Sequence, residues 1–418
     1  MNAADADLLT KISDGIGQPW PKRIGVAVSG GGDSTALLSL LHSASKGQDA
    51  KLFAASVDHG LRAGARDEAK RAGTRAAALG ISHEILDWRG WDGQGNLQAR
   101  ARAARYSLLA DWARENDIPV VALGHTLDDQ AETVLMRLSR SAGVDGLAGM
   151  SARRVDRGVT FVRPLLTVRR DALRTYLTRQ GLDWDEDPSN QDPQFDRIKV
   201  RALADQLQSA GLSPEALGTV AQNMQDAKAA LNWQVARLAD VACNVVDGDI
   251  VIQMAHLRDV PEDILRRLML SAVTWVARLD YPPRRRAVLD AITDVQAGKS
   301  ASLGGCLLVQ RKGQLHICRE YKAVQQLSCA FGEIWDGRWR MFGPESQAPL
   351  IQRALGEDGL ADCPDWRDTG RPRESLLASP SLWNTDKLLS APLAGQAGNY
   401  VAQCLATAEQ FKESILSH

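Results

Sequence analysis

The stretch Ile24-Gly25-Val26-Ala27-Val28-Ser29-Gly30-Gly31-Gly32-Asp33-Ser34-Thr35, continued by Ala36-Leu37-Leu38-Ser39-Leu40-Leu41, decides the fold. A short apolar run empties into a glycine turn, and an apolar helical segment opens directly behind it. Successive glycines let backbone N–H groups face an anion without a Cβ in the way, at the positive end of a helix dipole. Asp33-Ser34-Thr35 is expected to supply the helix N-cap and hydroxyl donors. Such a cradle suits a polyphosphate. It is not a Walker A loop, which needs a lysine after the glycines, nor a dinucleotide fingerprint, whose Gly-x-Gly-x-x-Gly spacing is absent. An acid in the middle of the turn repels pyrophosphate unless a divalent cation stands between them, so Asp33 is read as a Mg²⁺ contact.

Outward from the turn, residues 22 to 205 alternate short strand-like runs with longer helical ones. Lys51 to Val57, Ser82 to Trp88 and Pro119 to Leu123 read as strands; 65–79, 96–115 and 127–140 read as helices. This is the βαβ rhythm of an α/β domain, a parallel sheet with helices on both faces. Ligands in such folds gather beyond the carboxyl ends of the strands, where three polar clusters fall: the glycine turn, Asp58-His59-Gly60-Leu61-Arg62, and Gly124-His125-Thr126-Leu127-Asp128-Asp129-Gln130. An acidic, proline-bounded segment at 181–193 closes this part of the chain. A helix is expected from Ser213-Pro214-Glu215 to about Asp240, further helices over 261–278 and 283–296, and a hairpin from Ser302 to Val309 and Gln314 to Arg319. The expected organisation is 1–205 catalytic, 206–328 mainly helical, and 329–418 a small mixed accessory domain.

With 50 Lys and Arg against 51 Asp and Glu, the 418-residue chain carries a formal net charge of −1, so contact with nucleic acid has to come from local basic patches. Two stand out. One runs from Arg153 and Arg154 through Arg157, Arg163, Arg169, Arg170 and Arg174 to Arg179; the other is Arg284-Arg285-Arg286 with Arg266-Arg267. Either patch alone reads equally as a solvated helix face, and together they suggest a directed contact with a phosphate backbone. The six cysteines all lie at or beyond Cys243 and show no zinc spacing, which suits a reducing compartment and leaves the glycine-loop region without a thiol. No apolar signal core or membrane-length stretch is present, so a cytoplasmic protein is expected, with no membrane partner.

His125, Asp129 and Glu132 fall at i, i+4 and i+7, which puts both carboxylates on one helix face with the imidazole just ahead of it. Beside a phosphate site they are suited to binding magnesium, holding a substrate ammonium, or relaying protons. An acidic first turn that only favours the helix dipole accounts for one of the carboxylates. Among Arg100, Arg102 and Arg105, one is placed to neutralise a phosphate.

Ser29 to Ser34 resembles the pyrophosphate loop of the N-type ATP pyrophosphatases, an adenine nucleotide alpha hydrolase-like group that adenylates carbonyl or carboxylate oxygens. Within it, an ordered series over about the first 200 residues resembles the tRNA(Ile)-lysidine synthetase family. The series comprises Val57-Asp58-His59-Gly60-Leu61-Arg62, Ala101-Arg102-Ala103-Ala104-Arg105-Tyr106, Gly124-His125 with Asp128-Asp129-Gln130-Ala131-Glu132-Thr133, Arg163-Pro164-Leu165-Leu166, and Glu186-Asp187-Pro188-Ser189-Asn190 followed by Phe195-Asp196-Arg197. The resemblance implies a ligase that uses ATP and Mg²⁺, free L-lysine, and an isoleucine tRNA with a CAU anticodon, and it leaves a homodimer open. It implies ATP binding by Ser29, Gly30, Gly31, Gly32, Asp33, Ser34, Arg105 and Arg197, a metal contact at Asp33, and lysine binding by Asp129 and Glu132. Asp33, Arg105, His125, Asp129 and Glu132 form the implied catalytic set. For tRNA contact, Arg153, Arg154, Arg201, Arg284 and Arg285 are expected. The family usually carries Asn after the position of Arg197; Ile198 stands here. The rivals are a tRNA cytidine thiolation enzyme of the same superfamily, a non-catalytic ATP-binding regulator, and an ATP-dependent amide synthetase acting on a small acid without tRNA.

Overall fold

The computed structural model describes residues 2–417 apart from 62–63, 92, 94–95, 187–195, 280 and 345–348. The chain divides into two compact units, Met1–Lys228 and Ala229–His418. Arg62 and the Asp187–Phe195 part of the family series lie outside the described residues.

In the first unit the order is α1 (Ala3–Ile16), β1 (Arg23–Ala27), α2 (Gly32–Ala44), β2 (Lys51–Asp58), α3 (Ala65–Ala78), β3 (Ser82–Asp87), α4 (Leu97–Glu115), β4 (Val120–Leu123), α5 (Leu127–Leu138), α6 (Val144–Leu147), β5 (Arg153–Asp156), β6 (Val159–Val162), α7 (Arg170–Gln180), α8 (Asp196–Ala202) and α9 (Ala204–Ser209). The six strands form one sheet in the order β3-β2-β1-β4-β6-β5, parallel except for the antiparallel edge pair β5 and β6. Side chains alternate across it as strand pleating requires. Ile24, Val26, Leu52, Ala54, Val120 and Ala122 join one buried cluster with α1, α2, α3 and α7; Phe53, Ala55, Val121 and Leu123 join the other with Tyr106, Leu109 and Trp112 of α4. Both faces are therefore covered, which is why the strands read as continuous apolar runs. Leu37, Leu38, Leu40 and Leu41 of α2 are all buried, each worth about 2 kcal/mol on removal from water.

The strand order reverses at β1. β2 lies on one side of it and β4 on the other, so the turns after β1 and β4 open onto the crevice between adjacent strands.

α1 was not among the expected elements, and one expectation changes. Arg153 to Asp156, read as part of a basic helix face, is instead the antiparallel edge strand β5, closed onto β6 by a turn in which Arg157 takes φ +51° and Gly158 φ +80°. A charged edge strand of this kind also discourages pairing with other chains.

Helix α10 (Pro214–Ala242) starts where Ser213 Oγ accepts from the Ala216 N–H at 3.2 Å, as its cap signal requires. The second unit holds a five-stranded sheet in the order β7 (Cys243–Val246), β8 (Asp249–Gln253), β11 (Gln314–Arg319), β10 (Cys306–Arg311), β9 (Ala301–Leu303), with α11 (Glu262–Ala277) and α12 (Arg285–Gln296) sharing its core. The expected hairpin is β10 with β11, but its first run breaks at Gly304-Gly305, both at positive φ, and the residues before them form the separate strand β9. Beyond residue 328 lie short antiparallel strands, including Ile351–Ala354 paired with Pro380–Asn384 and Trp339–Phe342 paired with Val401–Cys404. The C-terminal helix Ala408–Ser417 places Phe411 and Ile415 in the core of the five-stranded sheet.

Candidate active site

At the end of β1 the chain turns at Gly30, whose φ of +89° excludes ordinary side chains; a Cβ there would also meet the Asp185 carboxylate at 3.0 Å. Gly31 is the N-cap of α2, and no side chain caps the helix. The expected capping by Asp33, Ser34 or Thr35 is thus corrected. Ser34 Oγ donates to the Gly31 carbonyl at 3.0 Å and accepts from the Ser29 N–H at 3.1 Å, while Thr35 Oγ1 donates to the Gly30 carbonyl at 3.3 Å. Those hydroxyls brace the loop from inside, so the helix's first N–H groups are its anion donors. The loop is held from outside by Asp185, whose N–H donates to the Gly30 carbonyl at 3.0 Å and whose carboxylate pairs with Arg71 at 2.6 Å and Arg75 at 2.8 Å.

β4 ends against the same loop. Gly124 is required there, since a Cβ would stand 3.0 Å from the Ser34 Cα. Thr126 and Asp129 then form a reciprocal capping box at the start of α5: Asp129 Oδ2 accepts from the Thr126 N–H at 2.8 Å, and the Asp129 N–H donates to Thr126 Oγ1 at 3.3 Å. The other carboxylate oxygen faces the crevice.

One guanidinium joins the two turns. Arg170, at the start of α7, donates from Nε to Asp33 Oδ2 at 3.1 Å, from Nη2 to Asp129 Oδ1 at 2.9 Å, and from Nη1 toward Glu132 Oε1 at 3.5 Å. Its own N–H donates to Asp128 Oδ2 at 2.7 Å. Sequence reading missed this residue, counting it among the arginines of a basic patch; the only local hint is that it follows the Arg163-Pro164-Leu165-Leu166 element. Arg197 contacts Glu132 Oε2 and reaches Asp129 Oδ1 at 3.1 Å; Arg201 holds Glu132 at 2.5 and 3.2 Å. Asp129 and Glu132 are nearly buried, at 7% and 5% exposure, so their charges depend on these three arginines.

The two aspartates of the crevice respond oppositely. Burial first, and then the charges of Asp129 and Asp128, push the Asp33 carboxyl above the ordinary range despite Arg170. Burial also pushes Asp129 up, but Arg197, Arg170 and the Thr126 N–H together outweigh it and hold that carboxyl low. His125 is pushed down to about 3 by burial and by Arg105 and Arg163, and its Nδ1 accepts from Arg163 Nε at 3.2 Å. It is a neutral hydrogen-bonding group, too weak a base to take a proton near neutrality. Arg105 lies close enough to act electrostatically on both His59 and His125 and makes no ion pair among the described residues.

Asp33, Asp129, Glu132, Arg197 and Arg201 thus come together, with the glycine loop, His125 and Arg105 around them. Arg201, expected on an RNA-facing surface, sits on Glu132. Arg153 and Arg154 do not join: Arg153 donates to the Gly15 and Ile16 carbonyls at 3.1 and 2.9 Å, and Arg154 pairs with Asp156 at 2.7 Å. Arg163 is buried and donates to Tyr106 Oη at 2.8 Å; Arg179 pairs with Asp5. The first basic patch is therefore dispersed through the unit. In the second unit Arg284 is exposed and Arg285 lies 3.4 Å from Asp263.

A glycine loop at the switch point of a parallel sheet, facing a paired acidic turn, defines a nucleotide-binding site of the PP-loop class, and the PP-loop domain family model matches residues 5–207. The tRNA(Ile)-lysidine synthase of Ruegeria pomeroyi is 47% identical over 412 residues, covering 99% of this chain and 98% of that protein; the enzyme of the same name from Wolbachia pipientis wMel is 35% identical, covering 95% and 96%. Among solved structures, a U34-tRNA thiolase from Methanococcus maripaludis aligns with a TM-score of 0.46 at 20% identity, covering 53% of this chain and 79% of that one. The chain belongs to the tRNA(Ile)-lysidine synthase family. Among the described residues no helix is long and apolar enough to cross a membrane.

Proposed function

We propose that this protein is a cytoplasmic ligase that joins L-lysine to C2 of the wobble cytidine in a CAU-anticodon isoleucine tRNA, at the expense of ATP. In the first step the C2 carbonyl oxygen attacks the α-phosphorus, the α–β P–O bond breaks, and pyrophosphate leaves with the electron pair into the glycine loop. In the second the lysine ε-amine attacks C2 and loses a proton, the C2–O bond breaks, and AMP departs with the former carbonyl oxygen. A poor leaving group has become a phosphate ester, and the modified base pairs with A instead of G.

The observation that carries this reading is the single guanidinium of Arg170 touching both Asp33 and Asp129, since it means the phosphate loop and the acidic turn serve one crevice. Loop N–H groups and Arg105 would meet the charge that develops on phosphate. Asp129 and Glu132 would receive the lysine ammonium, with Arg197 and Arg201 then free to meet anionic groups. Asp33 fits a magnesium ion: its carboxyl is disfavoured as an anion by burial and neighbouring acids, a penalty that a hard cation bound also by nucleotide phosphates relieves. Held there, such an ion would supply electrostatic shielding for the charge on pyrophosphate. We assign catalysis to residues 1–205, tRNA docking to 206–328 with Arg284 and Arg285, and an accessory contact to 329–418.

Thiolation is disfavoured because no cysteine precedes Cys243 to carry sulfur in the catalytic region. A regulator that only senses ATP has no use for the Asp129 and Glu132 pair. The test is incubation of purified protein with ATP, radiolabelled lysine, and unmodified CAU-anticodon tRNA. Label is expected in RNA only with ATP present; AMP formed with lysine but independently of RNA points to the amide synthetase.

A further inference from the structure

The carboxyl ends of β2 and β3 carry aromatic side chains that the chemistry above does not use. The Trp88 N–H donates to the Asp58 carbonyl at 2.8 Å, which continues the parallel ladder one residue beyond β3 and fixes the indole beside His59. The two rings meet edge to face with centroids 5.6 Å apart, and Trp91 lies 6.4 Å from Trp88. Both indoles are half-buried, and neither belongs to a hydrophobic core cluster of the described residues. His59 Nδ1 is buried with no hydrogen-bond partner among the described residues. An orphaned ring nitrogen beside two half-open indoles calls for a planar ligand with polar edges.

The surroundings are cationic. Arg105 acts on His59 and has no ion pair among the described residues; Arg89 is 85% exposed and Arg66 53%, both sharing Asp87, and Arg102 is exposed on α4. β3 is the edge strand of the sheet, so this corner is open on its outer side, while Arg105, acting on both His59 and His125, ties it to the crevice. Exposed Arg66 and Arg89 at the open edge, with Arg105 behind His59, suit a polymer of phosphates with stacked bases better than a single nucleotide.

We propose that His59, Trp88 and Trp91 form a stacking subsite for an unpaired base of the RNA substrate, adjacent to the reacting nucleotide. The inference rests on reading that substrate as tRNA. It is tested by binding of an unmodified CAU-anticodon stem-loop to the full chain without ATP, alongside ATP affinity measured without RNA. Trp88→Leu, which keeps apolar bulk and loses the π face, is expected to weaken stem-loop binding about tenfold, with Trp88→Phe recovering most of the loss. ATP affinity and the salt dependence of RNA binding stay as in the parent, because no phosphate contact is removed. Stem-loop affinity unchanged in Trp88→Leu and Trp91→Leu overturns the subsite, as does weakened ATP binding with RNA binding intact, which would assign the indoles to adenine. Equal loss in Trp88→Leu and Trp88→Phe with a lowered melting temperature overturns it in favour of packing. A parent protein that binds the stem-loop yet never attaches lysine contradicts the proposed activity alone; one that binds no stem-loop contradicts both.

Discussion

Asp33 and Asp129 hang on the same guanidinium, 3.1 and 2.9 Å from Arg170, yet the fold treats their charges in opposite ways. Asp129 sits in a capping box, takes a backbone N–H, and is shared by Arg197. Asp33 has Arg170 as its one ion-pair partner among the described residues, and two acids beside it. One side of the crevice has its charge balanced by the protein's own arginines, and the other keeps a penalty that only a further cation removes. The acceptor-side carboxylate is stabilised by protein alone; the loop-side carboxylate is held at a cost that a bound cation can lift, and trading stability for activity in this way is common at functional sites.

The largest effect expected is on chemistry at the loop side: Asp33→Ala lowers pyrophosphate release about a thousandfold. Glu132→Ala breaks the symmetry from the other side, lowering lysine transfer about a hundredfold while leaving adenylation within about tenfold. Equal loss of both steps in single-turnover assays of that variant contradicts the division of roles. Arg170→Met leaves the half-buried Asp33 without its ion pair and takes one of three arginines from Asp129 and Glu132, for a loss of about 3 kcal/mol in unfolding free energy by denaturant titration.

Acid titration sharpens the contrast. The Asp33 carboxyl is raised in the folded state, so its ionised form costs stability above that folded pKa, and the cost vanishes as pH falls below the unfolded value. The Asp129 carboxyl is lowered, so its contribution is present above the unfolded pKa and lost as pH falls through the folded one. Asp33→Asn is therefore expected to raise the melting temperature at pH 7 and lose that advantage on acidification, whereas Asp129→Asn melts lower at pH 7. Matching shifts in the two variants would break the comparison. The smallest effect belongs to the capping box alone: Thr126→Ala costs about 1 kcal/mol, and Thr126→Ser largely restores it.

The loop side was the more legible in sequence. Short apolar runs, the triple glycine and the alternation of strands and helices are local signals, and β1 to β4 with α2 to α5 follow them closely. The acceptor side depends on contacts between residues far apart. Arg170 meets Asp129 across 41 positions, and Arg201 meets Glu132 across 69, so neither pairing leaves a trace in spacing. Composition misled at Arg153 to Asp156, where a charged run with no apolar alternation is an edge strand whose side chains are mostly exposed. The hydroxyls of Ser34 and Thr35 were legible as loop residues, but whether they face the ligand or brace the turn depends on backbone direction after Gly30.

In the proposed reaction the glycine loop and the acidic turn bring a nucleoside carbonyl against the α-phosphorus of ATP. A CAU-anticodon stem-loop carrying ¹⁸O at C2 of the wobble cytidine, turned over with ATP and lysine, tests this by mass spectrometry of the AMP. One labelled oxygen in the AMP phosphate is the expected result. AMP without label, or label retained in the RNA after lysine is attached, would contradict it.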